Sequence, residues 1–174
     1  SQLNFRNGIL VAGIITMIGV SHLENLGTRE NILKAKSRGV SMNLLMTLDR
    51  NYVPQLNVML FSALHCDSAA YFDVYMLHDE GLLEADVAET RTLLGQRGEL
   101  HLIRVGEDGL ADAPTSDRYP KAIYYRIFAA KYLPDTIDRV LYLDPDMLII
   151  NPLRPLWEMD LYGKTFAAAS HTGL

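Results

Sequence analysis

From Met42 onward, short apolar runs alternate with longer segments of helical periodicity. Asn43 to Leu48, NLLMTL, has the length of a buried strand. Pro54 suits the first turn of a helix, and Val58, Phe61, Ser62 and Leu64 to His65 continue it as a largely buried helical segment. Phe72 to His78, FDVYMLH, predicts a second strand, ended by Asp79, Glu80 and Gly81. Leu82 to Leu94 reads as a helix with Leu82, Leu83, Val87, Leu93 and Leu94 as its apolar positions, and Gly95 and Gly98 stop it. Leu100 to Val105 is a third strand. Gly106 to Arg118, rich in Gly, Asp, Ala, Pro and Ser, is a loop of the length usually tied to function or mobility. Lys121 to Leu133 is an aromatic-rich helix closed by Pro134, and Arg139 to Leu143 is a fourth strand. Strands alternating with helices predict an α/β fold with a doubly wound, mainly parallel sheet.

The first 41 residues have a different texture. Gly8 to Val20, GILVAGIITMIGV, is the longest apolar stretch. It is shorter than the roughly 20 residues that span a bilayer. It fits a buried helix, a strand pair broken by Gly13, or a signal-like core, and we expect no transmembrane anchor. Residues 21–41 are polar, with Arg29, Lys34, Lys36 and Arg38 in a weak helical pattern. Ser1 is not methionine and Leu174 follows the apolar TFAAAS, so the sequence reads as a portion of a longer chain.

Within the alternating region, YLDPDMLII, Tyr142 to Ile150, carries the most chemistry. Asp144 and Asp146 stand at the end of an apolar run. In an extended chain, residues i and i+2 project to the same side. Two such carboxylates repel and resist desolvation unless a cation compensates them. A hard divalent ion shared with phosphate oxygens is the usual resolution, although Asp-Pro-Asp is also ordinary turn chemistry. Ligands of doubly wound sheets sit outside the carboxyl ends of strands. Asp49, after the first strand, and Asp144 and Asp146, after the fourth, both fall there.

Composition narrows the field. The 174 residues are 49% hydrophobic, enough for one domain with a core. A net charge of −5 argues against a nucleic-acid partner. Cys66 is the single cysteine, which excludes an internal disulfide and fits a reducing, cytoplasmic setting. The five histidines are scattered without zinc-ligand spacing, and His78 and His101 read as strand residues without a metal role.

Three stretches together resemble glycosyltransferase family 8, the retaining, manganese-dependent transferases that use nucleotide sugars. They are MNLLMTLDRNYVPQLNVMLFSAL, YPKAIYYRIFAAKYLP and RVLYLDPDMLIINPLRPLWEMDL, and the similarity runs from Met42 to about Ser170. The resemblance implies a Rossmann-like fold. It also implies transfer of a hexose from a UDP-sugar, with retention of configuration, to a saccharide or lipid-linked saccharide acceptor. By position, Thr47, Asp49 and Asn51 match the turn that holds uracil and ribose. From the sequence without the resemblance, Asp49 and Asn51 read as a plain turn before the Pro54 helix, and Tyr52 as packing. Arg126 matches the arginine near the diphosphate or sugar; its bland reading is a surface arginine on an amphipathic helix. Asp144 and Asp146 match the ligands of Mn2+ (or Mg2+). Tyr142 and Leu143 read as strand packing, and Trp157 and Leu161 as packing of a short helix.

The resemblance also says what is missing. The family's third metal ligand, a late histidine, and its acceptor-side and catalytic residues are expected beyond Leu174. His171 is too near the aspartate pair to be that histidine by alignment. Residues 42–174 are thus expected to form the nucleotide-sugar-binding portion of a truncated glycosyltransferase domain. Residues 1–41 have no counterpart in the family. They fit translated upstream sequence, since Arg38-Gly39-Val40 is compatible with a purine-rich bacterial ribosome-binding site before Met42. They fit equally a genuine extension that covers apolar surface. Such surface would favour self-association, and a saccharide acceptor leaves room for peripheral association with the inner face of a membrane. Two rival functions remain. One is a haloacid-dehalogenase-type phosphatase, in which the first aspartate is a covalent nucleophile; Met147 and Leu148 here replace its usual hydroxyl residue and glycine. The other is a non-catalytic nucleotide-binding module.

Overall fold

A computed structural model describes residues 15–19, 40–106 and 122–168. The apolar runs become strands because both of their faces are covered. Ser41–Thr47 (β2) pairs in parallel with Tyr71–His78 (β3), which pairs in parallel with Gly98–Arg104 (β4). On its other side β2 pairs in parallel with Arg139–Leu143 (β5). Beyond β5 lie Ile15–Gly19 (β1) and Phe166–Ala168 (β6), giving the order β4-β3-β2-β5-β1-β6. The strand β1 is antiparallel to both of its neighbours. The sheet is therefore mainly parallel, with one antiparallel strand from the N-terminal segment.

Side-chain alternation divides the core into two layers. On one face Met42, Leu44, Met46, Phe72, Val74, Met76, Leu141 and Leu143 pack with Leu56, Met59 and Leu60 of the helix Val53–Cys66 (α1), and with Leu94 of the helix Ala88–Leu94 (α2). On the other face Leu45, Tyr75, Leu77, Val140 and Tyr142 pack with Tyr125 and Ala129 of the helix Ala122–Tyr132 (α3). Helices on both faces make the sheet doubly wound, as the β/α alternation predicts.

Several expectations need correction. Val58 and Phe61 of α1 face solvent; the buried stripe is Leu56, Met59, Leu60, Ala63 and Leu64. The helical segment after Leu82 is broken: Glu84–Val87 is a 3-10 turn that precedes α2, and Leu83 is exposed. Two glycines shape the passage from α2 into β4. Gly95 has a φ of +52° and ends α2. At Gly98 a Cβ would come within 2.7 Å of the Phe72 carbonyl oxygen, so β4 can start so close to β3 only without a side chain. Of the readings open for the long N-terminal apolar stretch, Ile15–Gly19 takes the form of a strand. The loop expected after Gly106, the polar pattern of Arg29 to Arg38, Lys121 and His171 lie outside the described residues. No described helix is long and apolar enough to cross a membrane.

Candidate functional site

The register between β2 and β5 sets the site. Leu45 pairs with Tyr142, so Thr47 and Asp144, each two residues further on, emerge together at the carboxyl ends. Both lie on the α3 face. There the Thr47 hydroxyl and the Tyr142 hydroxyl are 3.2 Å apart, and the Tyr142 hydroxyl donates to Asp144 Oδ1 at 2.9 Å. Because Tyr142 spends its one proton on Asp144, Thr47 is the donor to Tyr142. The α3 helix brings Arg126 over the same spot: its guanidinium lies 4.8 Å from the centre of the Tyr142 ring, with Nη1 3.6 Å from Asp144 Oδ1. Burial is the main reason the Tyr142 phenol is held well above its usual range; Arg126 opposes this and Asp144 adds to it. Tyr142 therefore stays a neutral donor that orients the Asp144 carboxylate.

Three of the six residues singled out in the sequence, Thr47, Arg126 and Asp144, thus converge on Tyr142, which the sequence alone marks as packing. Its hydroxyl is invisible in an apolar run; its neighbours arrive from segments 16 and 95 positions away.

The other three stand on turns. Asp49 caps the 3-10 turn Arg50–Tyr52 by accepting from the Asn51 amide at 2.8 Å, so its plain-turn reading holds as local structure. Asn51 is exposed. Beyond β5, Pro145 and Asp146 form a turn. The two aspartates are therefore not held on one side by strand alternation: Asp144 is half-buried and Asp146 exposed. The chain after this turn is anchored. Ser62 Oγ of α1 accepts from the Ile149 amide at 2.9 Å while donating to the Met59 carbonyl, and the Cys66 thiol donates to the Ile149 carbonyl at 3.3 Å. Two hard oxygen donors at an open turn, one of them braced by a tyrosine hydroxyl, fit a divalent cation that takes its remaining ligands from a diphosphate.

Relatives of known sequence and structure give this geometry its context. Residues 43–172 match the profile of glycosyl transferase family 8. The chain belongs to that family. It is 28% identical over 131 residues to the lipopolysaccharide 1,2-glucosyltransferase of Escherichia coli K12, covering 72% of this chain and 37% of that protein. It is 28% identical over 138 residues to general stress protein A of Bacillus subtilis, covering 76% of this chain and 47% of that protein. Among solved structures it superposes on the galactosyltransferase LgtC in complex with donor and acceptor sugar analogues. The TM-score there is 0.61 at 31% identity, over 69% of this chain and 43% of LgtC. The chain thus spans less than half the length of these relatives. Membership of family 8 supports a glycosyltransferase and lends nothing to the phosphatase alternative.

The same face of this family 8 sheet carries a second polar group at its amino end. Asp73 on β3 lies opposite Glu99 on β4 in register, and Tyr75 opposite His101. His101 Nε2 is 3.2 Å from Asp73 Oδ1, and the His101 and Tyr75 rings stack at 4.6 Å. The hydrogen bond to Asp73 raises the imidazole above its usual range, against the effect of burial. Burial and the charges of Asp73 and Glu99 push Tyr75 up to about 12.

Proposed function

We propose that this chain is the donor-nucleotide half of a retaining, UDP-sugar-dependent hexosyltransferase. The observation that carries the reading is the Thr47–Tyr142–Asp144–Arg126 cluster at the carboxyl ends of β2 and β5, inside the family-matched stretch. In this reading Asp49 and Asn51 read the uracil and ribose hydrogen-bonding groups beside Thr47. Arg126 clamps the diphosphate or sugar with its planar, forked guanidinium. Asp144 and Asp146 hold Mn2+ or Mg2+, which when bound offsets charge on the departing diphosphate. Tyr142 keeps the Asp144 carboxylate aimed at the opening. Residues 42–174 are the donor-binding unit, and β1 extends its sheet. The likeness to lipopolysaccharide and other sugar transferases supports a saccharide or lipid-linked saccharide acceptor; our reading puts the meeting with it at the cytoplasmic side of a membrane.

Titration calorimetry on the whole chain tests this. UDP should bind more tightly with Mn2+ than with EDTA. It should also bind more tightly than UMP in Mn2+, because the cation acts on the second phosphate. Equal affinity for UDP and UMP in Mn2+ would remove the diphosphate assignment.

A further inference from the structure

The polar group at the amino end of the sheet has no part in the donor site. Asp73 is five residues before His78 on β3, which at about 3.3 Å per residue puts it about 17 Å from the carboxyl end. Asp73, Glu99 and His101 each offer a ligand atom, and these atoms lie within 4.8 Å of one another. We propose that Asp73, Glu99 and His101 form a zinc site that ties β4 to β3, separate from the nucleotide end.

Four observations carry it. First, Asp73 and Glu99 are directly opposite in register on one face. Like charges so placed destabilise a strand pair unless a cation lies between them. Second, the donor set is one imidazole nitrogen and two carboxylate oxygens, a borderline set that suits Zn2+ better than the oxygen-only Mg2+ or Ca2+. Third, the geometry is close to what the ion needs. Ligands about 2.1 Å from a tetrahedral zinc stand about 3.4 Å apart, and His101 Nε2 and Asp73 Oδ1 are 3.2 Å apart. Glu99 has only to swing inward, and it is an exposed, long side chain. Water supplies the fourth ligand. Fourth, the donors are already oriented. The Ser41 hydroxyl donates to Asp73 Oδ2 at 2.8 Å, and the stacked Tyr75 ring sets the plane of His101. Such outer support is what metal-binding side chains take.

The rival is a simple His101–Asp73 ion pair, in which Glu99 is an idle surface residue. Glu99→Gln separates the two. In metal-free protein it relieves the like-charge contact, so the melting temperature should rise slightly or hold. With Zn2+ present the wild type should gain several degrees and Glu99→Gln should gain little. Chelator-competition titration of EDTA-stripped, desalted chain should show one tight Zn2+ equivalent. Its affinity should fall more than about tenfold in His101→Gln and in Glu99→Gln. It should be unchanged in Asp144→Asn/Asp146→Ala, and unchanged by UDP. The proposal is overturned by wild-type protein that takes up no stoichiometric Zn2+. It is equally overturned by binding that survives His101→Gln and Glu99→Gln, or that disappears with the Asp144/Asp146 changes.

Discussion

The two ends of the α3 face of the sheet are built from similar materials and differ in how they hold charge. At the carboxyl end, Asp144 and Asp146 stand past the last strand residue, and the opposing cation, Arg126, arrives from a helix. At the amino end, Asp73, Glu99 and His101 all stand within strands, locked by the ladder. Turn residues can be re-aimed by a ligand at small cost, whereas strand residues keep their spacing whatever binds. The first arrangement suits a ligand that enters and leaves. The second suits an ion that stays. Between them lies an apolar belt, Leu45, Tyr75 and Leu77, that packs against α3.

The strongest way to break that comparison is to remove the belt. Leu45 is fully buried between Asn43 and Thr47. Leu45→Ala should cost about 2–5 kcal/mol, the range for large-to-small changes in cores. Urea denaturation would read this as a lower midpoint at unchanged slope. A loss well under 1 kcal/mol would mean that the belt collapses around the smaller side chain and is not the rigid layer between the two ends.

A smaller effect on stability and a larger one on binding are expected at the carboxyl end. Asp146→Ala should leave the midpoint nearly unchanged, since the side chain is exposed. It should weaken Mn2+-dependent UDP binding by about tenfold or more, as loss of one of few ligands to a hard ion does. Asp144→Asn should do the same. Calorimetry and thermal melts on the same samples separate the two quantities. A collapsed melt with an intact metal response would make the pair structural.

Tyr142→Phe is the finest probe. It deletes one hydroxyl and leaves the Thr47 donor without its partner in a buried position. The expected loss is about 1–2 kcal/mol of stability. The affinity for Mn2+–UDP should drop a few-fold, because Asp144 loses its brace rather than its charge. Unchanged UDP affinity in Tyr142→Phe would confine this tyrosine to packing.

How legible the fold is in the sequence depends on range. The runs NLLMTL, FDVYMLH and RVLYL mark β2, β3 and β5 because strands buried on both faces are simply apolar, whatever their neighbours. The helix faces are less legible: Val58, Phe61 and Leu83 are apolar yet exposed, since side-chain chemistry alone does not say which way a short helix turns. The strand Ile15–Gly19 is legible as apolar but not as sheet, because its two antiparallel partners, β5 and β6, lie over a hundred residues downstream.

The same limit divides the candidate sites. Asp144-Pro145-Asp146 and the turn at Asp49 announce themselves because the chemistry is local: carboxylates, a proline and a strand end within a few residues. The sequence by itself determined the α/β alternation and the family. Only the tertiary structure decided that Tyr142 joins Thr47 to Asp144 under Arg126. Only it decided that His101 meets Asp73, 28 positions away. Those contacts depend on strand register, and register is set by the packing of the whole sheet, which no single segment encodes.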